Sequence, residues 1–376
     1  MPVARTEKPN TGTETNGTPQ KGEGHQPDRE VRHEYAPGFP ELLERLGISL
    51  LVSTYQAGKV ATVGVANHEL ALGFHNFDKA MGITRTPTGL AVASRTQVWL
   101  LNTSPEIASL VAPAGTHDAC FLTRKSHYTG DIQAHELAWA RNELWCVNTA
   151  FSCLCTFDDQ HSFVPRWIPP FVSTLAAEDR CHLNGLAVAD GVPRYVTAMA
   201  ETDTAQAWRA NKVSSGCLIE IASGATVVRG FAMPHSPRVR DGHVWLLNSG
   251  AGQLVRVDVR AGRADVVAHL PGYTRGLALH DRYAFIGLSK IRETSTFGGM
   301  PIAERRAELK CGVGVIDLET GALAAHLEFT SGVEEIFDVH VLPGVRNPVL
   351  SGPYASLEGA PPIWLVPRYE PKKTSK

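Results

Sequence analysis

The chain has 376 residues, 20% of them charged, and a formal net charge of −2. That balance offers no basic face for nucleic acid, and no apolar run reaches the roughly 18 residues of a membrane span. Seven scattered cysteines without CxxC spacing argue against a zinc ribbon or a disulfide framework and fit a reduced, cytoplasmic protein.

Residues 1–33 are rich in Thr, Gly, Asn, Pro, Glu and Lys with almost nothing to bury. They read as a disordered leader, and they lack the apolar stretch of a signal peptide. Residues 371–376 form a basic tail, which leaves residues 34–370 as a single domain. Near its start, Ser49–Tyr55 and Lys59–Val65 have the character of two adjacent strands.

From there one unit repeats: a short apolar strand, a turn, and a second strand ending in Asn or a small residue. Thr88–Ala93 precedes Gln97–Asn102, His135–Ala140 precedes Glu143–Asn148, and Asn184–Ala189 precedes Arg194–Ala198. His235–Arg240 then precedes His243–Asn248, Arg275–His280 precedes Tyr283–Gly287, and Asp338–Leu342 precedes Asn347–Ser351. The intervals lie near the roughly 40–50 residues of a four-stranded blade. The expectation is an all-β, six-bladed β-propeller whose N- and C-terminal segments complete one blade and close the ring; a seventh blade stays open. Trp99, Trp145 and Trp245 recur at matching second-strand positions and read as core between blades. Cys153 and Cys155, on one face of a strand, read as small apolar fillers.

In a propeller the innermost strands all start at one mouth of the channel. Thr88, His135, Asn184, His235, Arg275 and Asp338 therefore form a polar ring, joined by His182, Glu334 and Glu335. Two long insertions, 201–216 and 290–312, lie over the same mouth as expected lids, the second with a short helix over Pro301–Leu309. They bring Glu201, Asp203, Arg209, Lys212, Lys290, Arg292 and Glu293 within reach of a polar ligand. The loop 114–131 brings Arg124, Lys125 and Tyr128 to the rim.

Imidazoles from several blades beside carboxylates suit a divalent transition metal such as Fe, Zn or Mn. His135, His182 and His235 are the expected ligands. Glu334, Glu335 or Asp338 completes or supports the set, and Arg275 orients an anionic group of the substrate. With Arg275, Glu335 and Asp338 as catalytic residues, the site reads as a metal-dependent enzyme, hydrolase, lactonase-like or oxidoreductase, acting on a small polar or anionic substrate. Asn184, Thr88, Tyr128, Lys290, Arg292 and Glu293 are the expected substrate contacts. The alternative is a non-catalytic module in which the same ring binds a small molecule or peptide. A metal-free acid–base enzyme is a third reading, for which chain spacing supplies no triad geometry.

The segments Leu50–Lys59, Tyr128–Asp131, Asp179–Gly185, Met233–Pro237, Leu288–Glu293 and Glu335–Asp338 resemble an uncharacterised bacterial family, the domain of unknown function DUF4915. The resemblance runs over Leu46–Pro353. It implies a propeller-like fold and no particular activity.

Overall fold

The computed structural model describes residues 30–290 and 299–369. Their strands form six sheets, ordered as six blades whose innermost strands line a central channel. Those inner strands are Asp338–Pro343 in blade 1, Ile83–Thr86 in blade 2 and Ala134–Ala140 in blade 3. Leu183–Ala189, Pro234–Arg240 and Tyr273–His280 follow in blades 4, 5 and 6. Two-residue turns such as Arg141-Asn142, both with left-handed backbone (φ 51° and 60°), match the twist of the strands they join.

Closure occurs as expected. The C-terminal strand Asp338–Pro343 pairs antiparallel with Ile48–Thr54, so both ends of the chain build blade 1. A second clasp is unexpected: His33–Tyr35, assigned from sequence partly to the leader, adds a fifth strand to blade 6 along Leu327–Phe329. The helix Gly38–Leu46 follows, ended by left-handed Gly47. Its Phe39, Leu42 and Leu43 are buried against apolar side chains of blades 1 and 6.

Blade 2 departs from the sequence reading by one strand. Its inner strand is the short, polar Ile83–Thr86, and Gly89–Ala93 comes second. The run Gly89–Ala93 is buried along its whole length, a pattern that suits an inner or a second strand equally. Trp99 consequently sits on a third strand, whereas Trp145 and Trp245 lie on second strands and pack against the next blade. Pro348–Ser351 is not a second strand either: it runs parallel to Ala119–Leu122 on the outer edge of blade 2. The expected loop 114–131 is largely the strand Ala119–Tyr128.

An innermost strand has no strand partner on its channel side, so its peptide groups need other partners. Side chains from the preceding blade supply several. Asp338 accepts from the Ile83 N–H, Glu136 from Leu186 and Ser236 from Gly276. Hydroxyls of Ser53, Thr149, Ser249 and Ser289 donate to the carbonyls of Met81, Leu183, Thr274 and Ile336. Gly276 (φ 77°) lets blade 6 approach blade 1 closely, since a Cβ there would stand 2.4 Å from the Val339 nitrogen.

Candidate functional site

A cavity of about 330 Å³ opens at the mouth where the inner strands begin. Its wall includes His135, His182, His235, Arg275 and Glu335 from the expected ring. The remaining expectations separate from it. Thr88 is exposed in the turn between the first two strands of blade 2, at the opposite mouth. Asn184 is buried with its amide oxygen bound to Thr197, and Tyr128 is 68% exposed on an outer strand. Lys290 does not line the cavity, and Arg292 and Glu293 lie outside the described residues. Asp338 lies within the ring of inner strands, where its two oxygens accept from the Ile83 and Val339 N–H groups.

Three imidazoles turn Nδ1 to protein oxygens, two of them in the same manner. His135 Nδ1 is 2.9 Å from Thr149 Oγ1 and 3.1 Å from the Gln133 carbonyl. His235 Nδ1 is 3.0 Å from Ser249 Oγ and 2.9 Å from the Met233 carbonyl. Each hydroxyl spends its proton on a carbonyl of the next blade, so it accepts from the imidazole, which is the Nδ1–H tautomer with its lone pair on Nε2. His182 Nδ1 lies 2.9 Å from Asp179 Oδ2, and Asp179 also accepts from the Trp208 indole at 3.1 Å. Burial, then the Arg275 cation, pushes the pKa of His135 and of His235 well below the usual histidine range, so both are neutral.

Gln133 and Met233, two residues before these histidines, and Asp179 and His182 all carry left-handed backbone. At non-glycine positions this costs about 1–3 kcal/mol each and is held by the surrounding structure, as at many functional sites.

Arg275 stacks its guanidinium 3.4 Å from the Phe337 ring centre, with Glu335 at 3.8 Å. Burial lowers its pKa to about 10, partly offset by Glu335, and it remains a cation at neutral pH. Phe337 also packs on Tyr55 and His135, and His135 meets His182 edge-on at 4.9 Å between ring centres.

The two insertions dock through apolar contact. Trp208, on the 3-10 turn Ala207–Ala210, is fully buried with Met199, Met233, Tyr273, Met300, Ile302 and Leu309, which joins both insertions in one cluster. The segment Pro301–Glu308 is 3-10 helix, kinked at Arg305. Glu201 pairs with Arg229 and Asp203 with Arg180, away from the cavity, whereas Arg209 lies against Trp208 on its wall.

Asp179, Trp208, Tyr55 and Phe337 escaped the sequence reading, as did the cavity's Met81, Met199 and Met233. Asp179 had a signal, three residues before His182. The others come from loops and strand lead-ins whose convergence needs the folded ring. Among the described residues no three of His, Cys, Asp and Glu stand close enough to share one metal ion, so the expected ligand set does not close in this arrangement.

Solved structures with similar shape include a nidogen/laminin complex, 9% identical with a TM-score of 0.46, covering 79% of this chain and 99% of that one. A streptogramin B lyase is 10% identical with a TM-score of 0.40, covering 73% and 74%. A catalytically inactive virginiamycin B lyase from Staphylococcus aureus with quinupristin is 10% identical with a TM-score of 0.39, covering 80% and 99%. No curated protein matches. The family model for the domain of unknown function DUF4915 matches residues 37–350, and the chain belongs to that family.

Proposed function

We propose that the cavity is the active site of an enzyme that moves a proton on a small anionic substrate. The observation that carries this reading is the Asp179–His182 pair in a cavity that also holds buried Arg275. Asp179, 6% exposed and bonded to the Trp208 indole, fixes the His182 Nδ1–H and leaves Nε2 to accept or return a proton. Arg275 binds the anionic group with a charge that the stacked Phe337 ring and Glu335 only partly balance. His135 and His235 offer neutral lone pairs that orient the substrate. A cytoplasmic location goes with this reading, supported by seven buried cysteines that form no disulfide.

The test is to incubate the full-length protein with mixed small carboxylates and phosphate esters and follow their loss by mass spectrometry. Turnover by wild type that disappears in His182→Gln and falls in Asp179→Asn supports the reading. Compounds retained by the protein and recovered unchanged on denaturation point to a binding module instead.

A metal-dependent reaction is the second reading. Each histidine gives its Nδ1–H to an oxygen acceptor, as ligating imidazoles do. The three rings must move to share an ion. Metal content of untagged protein, before and after chelator and after anaerobic loading with Fe, Mn, Zn and Cu, decides it. Near-stoichiometric metal lost in His135→Ala and His235→Ala supports a metal centre.

A further inference from the structure

Resting on the reading of the cavity as an anion site, we infer that its substrate is zwitterionic: a free α-amino acid or a short peptide with an unblocked amine and carboxylate. The argument is the presence, in one cavity, of a buried cation and of acceptors that have no proton of their own to offer a ligand. Blades 3, 4 and 5 contribute His135, His182 and His235, whose Nδ1–H groups are all engaged by protein oxygens. What His135 and His235 turn to a ligand is therefore an acceptor. Asp131, which leads into the inner strand of blade 3, lines the same cavity and has no hydrogen-bond or ionic partner among the described residues.

Blade 6 contributes Arg275, a donor group with no acceptor role. Lys79, which precedes the inner strand of blade 2, lies over the Tyr55 ring on the cavity wall. The other two cations are engaged, Arg95 with Asp78 and Arg209 with Trp208. Arg275 and His135 contact the same Phe337 ring, 3.4 and 5.3 Å from its centre, with Glu335 3.8 Å from the guanidinium. A small ligand there meets a cation and acceptors within its own length, which suits a carboxylate on Arg275 and an ammonium at Asp131 and His135. Met81, Met199, Met233 and Trp208 supply an apolar wall for a side chain between them. A volume of about 330 Å³ accommodates a ligand of this size.

Isothermal titration of the full-length protein tests this with the protein amino acids and their glycyl dipeptides, each beside its N-acetyl and C-amide forms. Gluconate and inorganic phosphate serve as anions without an amine. At least one free zwitterion is expected to bind, and either blocking group to weaken it about tenfold or more. Asp131→Asn, at an exposed position, should abolish the N-acetyl penalty and keep the amide penalty; Arg275→Gln should do the reverse. If an N-acetyl form or gluconate binds as tightly as any zwitterion, and binding is lost in Arg275→Gln, the zwitterion is overturned while the anion site stands. If none of the anions binds, both readings fall.

Discussion

Thr149 Oγ1 stands 2.9 Å from His135 Nδ1 while donating to the Leu183 carbonyl at 2.5 Å, so one hydroxyl joins two blades and sets the tautomer of a cavity imidazole. Ser249 repeats the arrangement for His235 and Thr274. In both, the hydroxyl lies 14 residues beyond the histidine.

Thr149→Val should cost about 1–3 kcal/mol, because it leaves the Leu183 carbonyl buried without its donor. It should also loosen the His135 tautomer, readable in the ring ¹⁵N shifts, whereas Thr149→Ser should restore both. Unchanged shifts in the valine variant would remove the hydroxyl from the account of the site.

Arg275→Met is expected to leave stability unchanged or raise it by about 1 kcal/mol in urea unfolding. On the proposed reading, a buried guanidinium with its carboxylate at 3.8 Å is kept for anion binding at a cost in desolvation. Its anion affinity should drop at least about tenfold. A loss of several kcal/mol would make Arg275 a structural residue instead.

Stability should decline in acid partly through His235. Its folded-state pKa is depressed well below the ordinary value by burial and then by Arg275. An unfolded histidine titrates near 6.5, so below that pH the unfolded chain takes up a proton that the folded chain refuses. This contribution is complete above about pH 6.5 and is lost as pH falls, by up to about 1.4 kcal/mol per unit. Urea unfolding of His235→Asn at about pH 7.5 and 5.5 should show a shallower dependence than wild type; equal slopes would refute the assignment.

Glu136 of blade 3 contacts Arg238 of blade 5 and accepts the Leu186 N–H, tying three blades together. Removing the cation alone, in Arg238→Met, should cost about 3–5 kcal/mol by stranding a buried carboxylate. Glu136→Gln combined with Arg238→Met should recover much of that, because the amide still accepts from Leu186. Additive losses in the double variant would show that the two side chains act independently.

How much of the site was legible follows from where each residue sits. Histidines 135 and 235 and Arg275 were visible because they open strands whose apolar pattern recurs. Thr88 opens a similar run and misled, since Gly89–Ala93 is equally buried as a second strand. Asp338 opens an inner strand and was expected at the mouth, but its carboxylate turns to the backbone of blade 2. Strand-start position alone does not say which way a side chain points.

The repeat, the closure of blade 1 by both termini and the mouth that carries the histidines were legible in the sequence alone, because period-two burial and regular turns are local properties; the sequence left a seventh blade open, and the six sheets decide the number. Tertiary structure decided the rest. The contact of Trp208 with Asp179 and His182 joins an insertion to the lead-in of blade 4, and the stacking of Arg275 on Phe337 joins blade 6 to the lead-in of blade 1. Such contacts form only when blades and insertions pack, and no local pattern encodes the distances between them.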